Sequence, residues 1–410
     1  MDLIGPDHNQ YDVLRKPALP QYADIRPAAI ARCSSPSDVI EALAYARSTN
    51  LPLAPRGGGH CFAARSSTTG LLLDLSPLST ITVEPTEALA TIGAGARLAS
   101  VYRGLHEYGL TIPAGCGPTV GIAGLTLGGG LGLLGRQYGL TCDRLVAATV
   151  VLADGNVLTC DADREADLFW ALRGAGGGQF GVVTSLTFAA VPSPAATRFK
   201  LTWPRTHAAE VITTWQSWAP DAPDELTASL TVTADQVQIF GATLTTFDPG
   251  PLAKLSPDTD LRTDLSWPAL KASLSEGDPD NRIIHSKSEF FRTPLPPDAI
   301  TQLLNTGCEL NFTPMGGAYN RVPVDATAFA HRRERFLLEH AGPDPDAVRR
   351  SWSIAHPHAS GAAYPNFPDP DLSDWTTAYH GPNYPRLRGI KTKYDPGNVF
   401  SFPQSLGGSR

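Results

Sequence analysis

The stretch PAGCGPTVGIAGLTLGGGLG, from Pro113 to Gly132, has eight glycines in twenty residues. A shorter cluster, RGGGH, occupies residues 56–60 and sets three glycines between a cation and a histidine. Glycine loses more conformational freedom on folding than any other residue. Two such clusters therefore indicate backbone that lies bare against a large flat or phosphorylated ligand.

The bulk composition is that of a globular enzyme. The chain has 410 residues, 42% hydrophobic and 18% charged, with a net charge of -7. This length predicts two domains or more, and the negative charge argues against a nucleic-acid partner. No apolar run is long enough for a membrane span, and the six cysteines never pair as C-x-x-C, so we expect neither a membrane partner nor a metal site. The opening residues lack the pattern of a signal peptide, which predicts a cytoplasmic location.

Local patterns predict several elements in the first half of the chain. Ser35-Pro36 is typical of a capped helix start, and that helix is expected to run to about Ser48. Asp154-Gly155 lies between two apolar runs and predicts a β-hairpin.

A second region begins where the composition changes at VPSPAATR, residues 191–198. We expect it to span residues 198–376 and to mix strands such as ELNFT with helices. AFAHRRERFLLEH, residues 328–340, is predicted to be a helix. Its arginines are expected on the solvated face: Arg332, Arg333 and Arg335.

Two segments formally match the dinucleotide fingerprint G-x-G-x-x-G: residues 130–135 and 176–181. That fingerprint requires a strand, then the loop, then a helix, and neither segment has this context. A nicotinamide-dependent dehydrogenase is therefore the weaker alternative. A glycine-rich turn at residues 57–59 can instead form an anion nest, with His60 as a covalent handle, although a purely structural turn is the plainer interpretation.

Six motifs occur in a fixed order: RGGGH, GPTVGIAGLTLGGGLG, FGVVTSLTF, GGAYNRV, YPNFPDPDL and NYPRLRGIKTKYDPGNVF. With them the chain resembles the berberine-bridge-enzyme-like FAD-linked oxidases, flavoproteins of the p-cresol methylhydroxylase (vanillyl-alcohol oxidase) type. The similarity extends from about Arg26 to Gln404.

The resemblance implies an α+β fold with two domains. An FAD-binding domain of p-cresol methylhydroxylase type would comprise residues 1–197 and 377–410. A substrate domain, residues 198–376, would carry a central antiparallel β-sheet covered by helices. FAD is then expected between them, with its pyrophosphate on the glycine loops.

The resemblance also implies a set of cofactor contacts. His60 matches the histidine that the family bonds to the flavin 8α-methyl group. Cys116 stands one residue before the family's second attachment position, which is Gly117 here, so a single link through His60 is expected and a second through Cys116 is the alternative. The expected cofactor-binding residues are Arg56, Gly57, Gly58, Gly59, His60, Pro113, Gly115, Cys116, Gly117, Thr119, Val120, Gly121, Gly124, Gly128, Gly129, Gly130, Gly132, Gly181, Val182 and Asn366.

The family's usual base is a tyrosine that closes a Y-x-N-Y segment, but here the segment ends in Phe367. The common proton acceptor is therefore missing. Glu309 could act as the base if it is buried, and Asn311 shares a strand face with it because the two lie two positions apart along the chain. The expected catalytic residues are Tyr364, Asn366, Glu309 and Tyr319.

The expected activity is that of a covalently flavinylated, FAD-dependent oxidase. It would transfer a hydride from a hydroxyl-bearing natural product or glycoside to flavin N5, with molecular oxygen as acceptor. Val120 matches a position beside the flavin where small side chains accompany oxidases. The alternatives are an oxidative cyclase or rearrangement enzyme of secondary metabolism, and a flavin-binding carrier without catalysis. We expect a monomer or weak homodimer.

Overall fold

The computed structural model describes residues 1–274 and 283–408 of the chain. It is an α+β fold of two domains. In the described part of the chain, no helix combines the length and the hydropathy that crossing a bilayer requires.

A small sheet opens the first domain and delivers the RGGGH loop. Its strands are β1 (Asp2–Ile4), β2 (Ala29–Arg32), β3 (Leu53–Arg56) and β4 (Leu71–Asp74), in the order β1-β2-β4-β3. Two helices accompany them, α1 (Tyr11–Leu14) and α2 (Pro36–Thr49). The Ser35 hydroxyl caps α2 by accepting from the backbone N–H of Asp38, so the helix predicted at Ser35 is confirmed. Because β3 ends at Arg56, the glycines lie at the carboxyl end of a parallel strand.

A second, antiparallel sheet completes the scaffold of the first domain. Its order is β5-β6-β10-β8-β9, and a short pair, β7 and β11, lies beside it. The strands are β5 (Ile81–Glu84), β6 (Leu89–Gly93), β7 (Leu110–Thr111), β8 (Leu145–Val151), β9 (Val157–Asp161), β10 (Val182–Ala189) and β11 (Val191–Pro192). The helices are α3 (Leu98–His106), α4 (Ile122–Leu127), α5 (Gly135–Tyr138) and α6 (Ala166–Leu172). The β8–β9 hairpin confirms the turn predicted at Asp154-Gly155.

The second domain is built on an antiparallel sheet with the order β15-β12-β14-β13-β17-β18-β16. Its strands are β12 (Ala195–Pro204), β13 (Leu226–Val232), β14 (Gln236–Thr243), β15 (Thr259–Ser266), β16 (His285–Phe291), β17 (Glu309–Pro314) and β18 (Phe336–Gly342). The remaining helices are α7 (Ala208–Trp218), α8 (Trp267–Leu274), α9 (Pro297–Leu304), α10 (Ala318–Arg321), α11 (Pro345–Ala355), α12 (Trp375–His380) and α13 (Tyr384–Tyr394). The tail returns to the first domain, where Lys391 Nζ donates to the Gln179 carbonyl oxygen.

The two faces of the large sheet differ in chemistry. One face packs Leu230, Phe312 and Leu338 against Trp215 of α7 in a core that also takes residues from α9 and α11. On the opposite face, strand register aligns a polar row across five strands. Its members are Thr202, Gln238, Thr231, Asn311 and Glu339.

The helix predicted over residues 328–340 is wrong, because its second half is strand β18. Most side chains of this strand are buried on both faces, and periodicity cannot separate its short apolar run at residues 336–338 from a helix. The prediction that the three arginines lie on a solvated face is also wrong for Arg332. Arg332 is 2% exposed and pairs with Asp143 at 2.6 Å, whereas Arg333 is exposed.

Candidate functional site

The two glycine clusters meet as bare backbone. A Cβ atom on Gly58 would stand 2.2 Å from the backbone nitrogen of Gly121, and one on Gly121 would stand 2.4 Å from that of Gly58. His60 Nε2 lies 2.9 Å from Thr119 Oγ1 across the same contact. Two clusters that are far apart in sequence therefore form one continuous surface. Only glycine at residues 58 and 121 allows the two backbones to come this close.

His60 and Arg56 occupy the two ends of the short loop. The His60 ring is partly exposed and follows Gly59, whose φ of +75° favours glycine. The Arg56 guanidinium is turned inward and donates to the carbonyl oxygens of Arg15 and Ser66. These contacts hold neighbouring segments together, while its expected contact with a cofactor stays a prediction.

The glycine loop at residues 128–132 is held by tyrosine hydroxyls from the second domain. The Tyr364 hydroxyl accepts from the backbone N–H groups of Gly130 and Leu131, both at 3.1 Å. The Tyr319 hydroxyl accepts from the Gly132 N–H at 3.1 Å and donates to the Gly132 carbonyl at 2.8 Å. These contacts link the backbone of the glycine loop to the second domain.

Asn366 and its neighbours complete this clamp. The Asn366 side chain donates to the Leu125 carbonyl at 2.8 Å and to the Tyr364 hydroxyl at 3.0 Å. A Cβ on Gly128 would stand 2.1 Å from Asn366 Oδ1, so the Asn366 side chain packs directly against this glycine. Phe367 stacks edge-on against Tyr364 with 5.1 Å between ring centroids.

Burial sets the protonation of the two tyrosines. Desolvation raises the pKa of Tyr364 to about 12 and raises the pKa of Tyr319 further above its ordinary value. Both hydroxyls therefore keep their protons near neutral pH. A general base must lose its proton first, so this environment disfavours the base function for Tyr319 and Tyr364.

The segment from Pro113 to Thr119 is fastened from several sides. The Pro113 carbonyl accepts from the Thr141 hydroxyl, and the Gly115 carbonyl accepts from Tyr102. Lys271 Nζ, from α8, donates to the carbonyl oxygens of Ala114 and Gly115 at 2.9 and 3.1 Å.

The other predicted glycine and valine contacts differ in their surroundings. Apart from the backbone of α4 itself, no heavy atom lies within 4 Å of a Cβ built on Gly124, so that face of α4 is open. Gly117, in contrast, lies against the Val120 side chain. Val182 pairs with Val151 inside β10 and is 1% exposed, so its side chain is part of the core rather than of a loop surface. Gly181 likewise abuts Val150 at the start of that strand, and Gly129 abuts Phe329.

Carboxylates converge at the end of the polar row. Glu339 Oε1 accepts from the Ser286 hydroxyl at 2.7 Å, and Glu339 pairs in register with Asn311. Asn311 Nδ2 donates to Glu309 Oε1 at 3.1 Å, and its Oδ1 accepts from Thr231. The predicted face-sharing of Glu309 and Asn311 is therefore observed, and Glu339 is added to it.

Glu339 is the functional candidate that the motifs missed. Burial raises its pKa to about 6, helped by the negative charge of Glu309 and opposed by the Ser286 hydrogen bond. A carboxyl with this pKa ionises near neutral pH and can accept a proton. The alternation of the run FLLEHA was the available signal, because Leu337 and Glu339 must share a face once this run is a strand.

The polar face is turned toward the first domain. Leu337, on the same face of β18 as Glu339, packs with Leu131, Tyr319 and Tyr364. Thr227, on the same face of β13 as Thr231, donates to the Leu133 carbonyl at 2.8 Å. The glycine surface and the carboxylate cluster therefore belong to neighbouring walls of the same region between the domains.

These features suit a flavin. Its phosphates and flat ring require bare backbone, which the glycine contacts and the open face at Gly124 provide. His60, at the edge of that surface, is the residue type that can hold the ring. The donor set of glycine backbone, imidazole and hydroxyl, which includes Thr119, therefore fits FAD.

Comparisons with known proteins agree with this geometry. A family model described as FAD binding domain matches residues 27–161, and one described as berberine and berberine like matches residues 363–407. The chain is 36% identical to FAD-linked oxidoreductase YgaK of Bacillus subtilis, over 98% of this chain and 95% of that protein. It is 30% identical to the xylooligosaccharide oxidase of Thermothelomyces thermophilus, over 93% and 87% respectively.

Solved structures give the same result. The structure of Physcomitrella patens BBE-like 1 superposes with a TM-score of 0.91 at 28% identity, covering 99% of this chain and 96% of that one. The resemblance stated from the motifs is thereby confirmed. This protein is a member of the berberine-bridge-enzyme-like family of FAD-linked oxidoreductases.

Proposed function

We propose that this protein is an oxidase that removes a hydride from a hydroxyl-bearing carbon of a sugar or related glycoside. The observation that carries the proposal is the polar row on the sheet face opposite the α7 core, which ends at Glu339. Hydroxyl and amide side chains in such a row match a polyhydroxylated substrate, because each substrate hydroxyl both donates and accepts. The similarity to a xylooligosaccharide oxidase supports this substrate class.

Glu339 is proposed as the general base. In its ionised form it would accept the proton of the substrate hydroxyl whose carbon is oxidised. Ser286 fixes the orientation of its carboxylate by a 2.7 Å hydrogen bond. Glu309, the base expected from the sequence, then acts by raising the pKa of Glu339 and by holding Asn311. The Tyr319 and Tyr364 hydroxyls contribute by holding the glycine loop.

We propose that FAD is held on the loops at residues 57–60 and 113–132, covalently through His60. When bound, FAD would supply the hydride acceptor and the two-electron chemistry that reduces molecular oxygen to hydrogen peroxide. His60 would hold the ring, and the small side chain of Val120 would give oxygen access to it. A second link through Cys116 is the alternative. We also propose a cytoplasmic location, a monomeric or weakly dimeric state and the domain boundaries predicted above.

The proposal is tested by mixing the anaerobic yellow protein with xylooligosaccharides, cello-oligosaccharides and the matched free sugars. We expect the flavin absorbance near 450 nm to bleach with one of these, and peroxide to appear in step with oxygen uptake when air is admitted. Bleaching without peroxide would favour a dehydrogenase. If no hydroxyl substrate bleaches the flavin, the sugar oxidase assignment is wrong.

One observation favours a second candidate, an oxidative cyclase or rearrangement enzyme. Phe367 lacks the hydroxyl that the family motif provides, and the aromatic cluster of Phe62, Tyr364 and Phe367 offers an apolar wall. Turnover of an aromatic natural product, with sugars inert, would support this candidate. A carrier without catalysis predicts that no substrate of either class bleaches the flavin.

A further inference from the structure

A lysine and a cysteine from different domains meet beside the glycine surface. Lys271 lies in α8 of the second domain, and its Nζ donates to Cys116 Sγ at 3.7 Å. The same ammonium donates to the carbonyl oxygens of Ala114 and Gly115, the two residues before the cysteine. Lys271 therefore faces the thiol in a fixed position.

The surroundings of Lys271 are unusual for a cation. The side chain is 5% exposed, and the rings of Tyr102 and Trp267 have their centroids 4.5 and 5.1 Å from Nζ. Over the part of the chain that the structure describes, no carboxylate forms an ion pair with Lys271. Burial lowers the pKa of this amine. Among the described residues, the cysteine sulfur is thus the one titratable group to which the ammonium donates a hydrogen bond.

Cys116 remains within reach of small molecules. It is partly exposed, whereas Cys33, Cys142, Cys160 and Cys308 are buried. Peroxide attacks the thiolate rather than the thiol, and a cation beside the sulfur is the charge that a thiolate pairs with.

We infer that Cys116 and Lys271 form an oxidation-sensitive pair that closes into a covalent sulfur–nitrogen bond when hydrogen peroxide reaches the thiol. The Cys116 thiolate attacks one peroxide oxygen, and the O–O bond breaks to give the sulfenic acid and hydroxide. Hydroxide takes a proton from the Lys271 ammonium and becomes water. The neutral amine then attacks the sulfur, the S–O bond breaks, and a second water leaves.

In total, one thiol, one amine and one hydrogen peroxide are converted into one sulfenamide and two water molecules. Sulfur is oxidised by two electrons, and peroxide is reduced. The flexible four-carbon stem of lysine allows Nζ to reach the sulfur without movement of the backbone.

The bond would join the two domains covalently. It connects α8 to the segment at residues 113–119, which also carries Thr119 and its contact with His60. Thiol reductants would reopen it by attack on the sulfur, which returns the cysteine and the amine and leaves the reductant as a disulfide. The pair is therefore a reversible modification site for which peroxide is the signal.

The test uses the purified flavin-containing protein and added hydrogen peroxide, so its result does not depend on the oxidase assignment. After digestion with trypsin, we expect a peptide pair that joins residues 104–136 to the segment containing Lys271, two hydrogens lighter than the sum of its parts. Treatment with dithiothreitol should abolish it. Cys61, which is also partly exposed, is the internal control and should yield sulfenic or sulfinic products only.

Two variants isolate the chemistry. Lys271→Arg keeps the positive charge but removes the nucleophilic amine, so Cys116 should still be oxidised while the joined peptide is lost. Cys116→Ser should lose the joined peptide as well, and near-UV circular dichroism establishes that each variant is folded. The inference is overturned if wild-type Cys116 stops at the sulfinic acid without joining Lys271. It is also overturned if Cys116 is found attached to the flavin.

Discussion

Glu339 shows how a single residue gains its chemistry from its neighbours. Its side chain lies partly exposed in a row of uncharged polar groups, and burial raises its pKa to about 6. Near neutral pH the carboxylate is therefore available as a proton acceptor, while a tyrosine in the same region keeps its proton.

Replacement of Glu339 by Gln should slow flavin reduction by about 10²–10⁴-fold, the usual contribution of a general base. In the wild type, the rate of reduction should rise as the pH rises through about 6, because the base must lose its proton to act. Anaerobic stopped-flow absorbance measures this rate.

Glu309→Gln is the matched control for Glu339. It should leave the plateau rate largely intact and move the midpoint of the pH profile to lower pH, because a like charge that raises the pKa of Glu339 has been removed. A Glu339→Gln enzyme that reduces its flavin at the wild-type rate would refute the assignment of the base.

Tyr364 is expected to act by position. Tyr364→Phe leaves the N–H groups of Gly130 and Leu131 without their acceptor, which should lower the free energy of unfolding by about 1–3 kcal/mol. Urea unfolding of the flavin-containing protein measures the loss, with Tyr108→Phe as a control because Tyr108 is 50% exposed. Unchanged stability combined with complete loss of flavin reduction would instead indicate a catalytic hydroxyl.

Candidate site residues could be located from the sequence only where a motif included the position. His60, Thr119 and Asn366 were located in this way, and the structure brings their loops together. Glu339 and Lys271 belong to no motif and depend on strand register and on contact between domains, so single-sequence reasoning could not reach them.

At the scale of elements, the two glycine loops interlock through their backbones. Gly58→Ala would put a Cβ 2.2 Å from the Gly121 nitrogen. Because the atoms on both sides of this contact are backbone atoms, the clash can be relieved only by moving one of the two loops. We expect a loss of about 1–3 kcal/mol in stability, as for other overpacked sites, together with a lower flavin content. Thermal unfolding and the ratio of absorbance at 450 nm to that at 280 nm measure the two effects.

Gly389→Ala is the control for that substitution. Gly389 is exposed within α13, and apart from the backbone of that helix no heavy atom lies within 4 Å of a Cβ added to it. Alanine should therefore stabilise the helix by up to about 1 kcal/mol without changing the flavin content. Equal behaviour of the two variants would show that the contact between the loops does not require glycine.

Elements that begin or end at a capping or turn residue were predictable from the sequence. Elements that depend on tertiary contacts were not. The capped start of α2 and the tight turn of the β8–β9 hairpin are specified by adjacent residues, so both predictions hold. The apolar start of β18, residues 336–338, fits a helix as well as a strand, and only pairing with the neighbouring strands of the large sheet decides between them. Its misassignment also hid Glu339.

At the scale of the whole molecule, buried histidines couple stability to pH. Burial lowers the pKa of His331 to about 4 and that of His340 and His380 to about 3, and it raises the pKa of Glu289 to about 9. Below the ordinary histidine value of 6.5, unfolding lets each of these histidines take up a proton. Glu289 gives up its proton on unfolding above about 4.5, so it partly offsets them.

The free energy of unfolding should therefore fall as the pH is lowered from about 6.5 to about 5, because more protons are taken up on unfolding than are released. His380→Phe should reduce that slope by about 1.4 kcal/mol per pH unit, which is the contribution of one proton. Urea unfolding at several pH values measures it, with exposed His207→Gln as control. A slope unchanged in His380→Phe would show that His380 is protonated in the folded protein.

The central claim is that the imidazole of His60 holds the flavin at the meeting point of two glycine loops. The decisive measurement is acid precipitation followed by trypsin digestion and mass spectrometry of the flavin-bearing peptide, with His60→Ala in parallel. We predict a yellow pellet whose flavin is bonded to His60 within residues 57–65, and a colourless pellet from the variant. Flavin released into the supernatant, or bonded to a peptide without His60, would contradict the account.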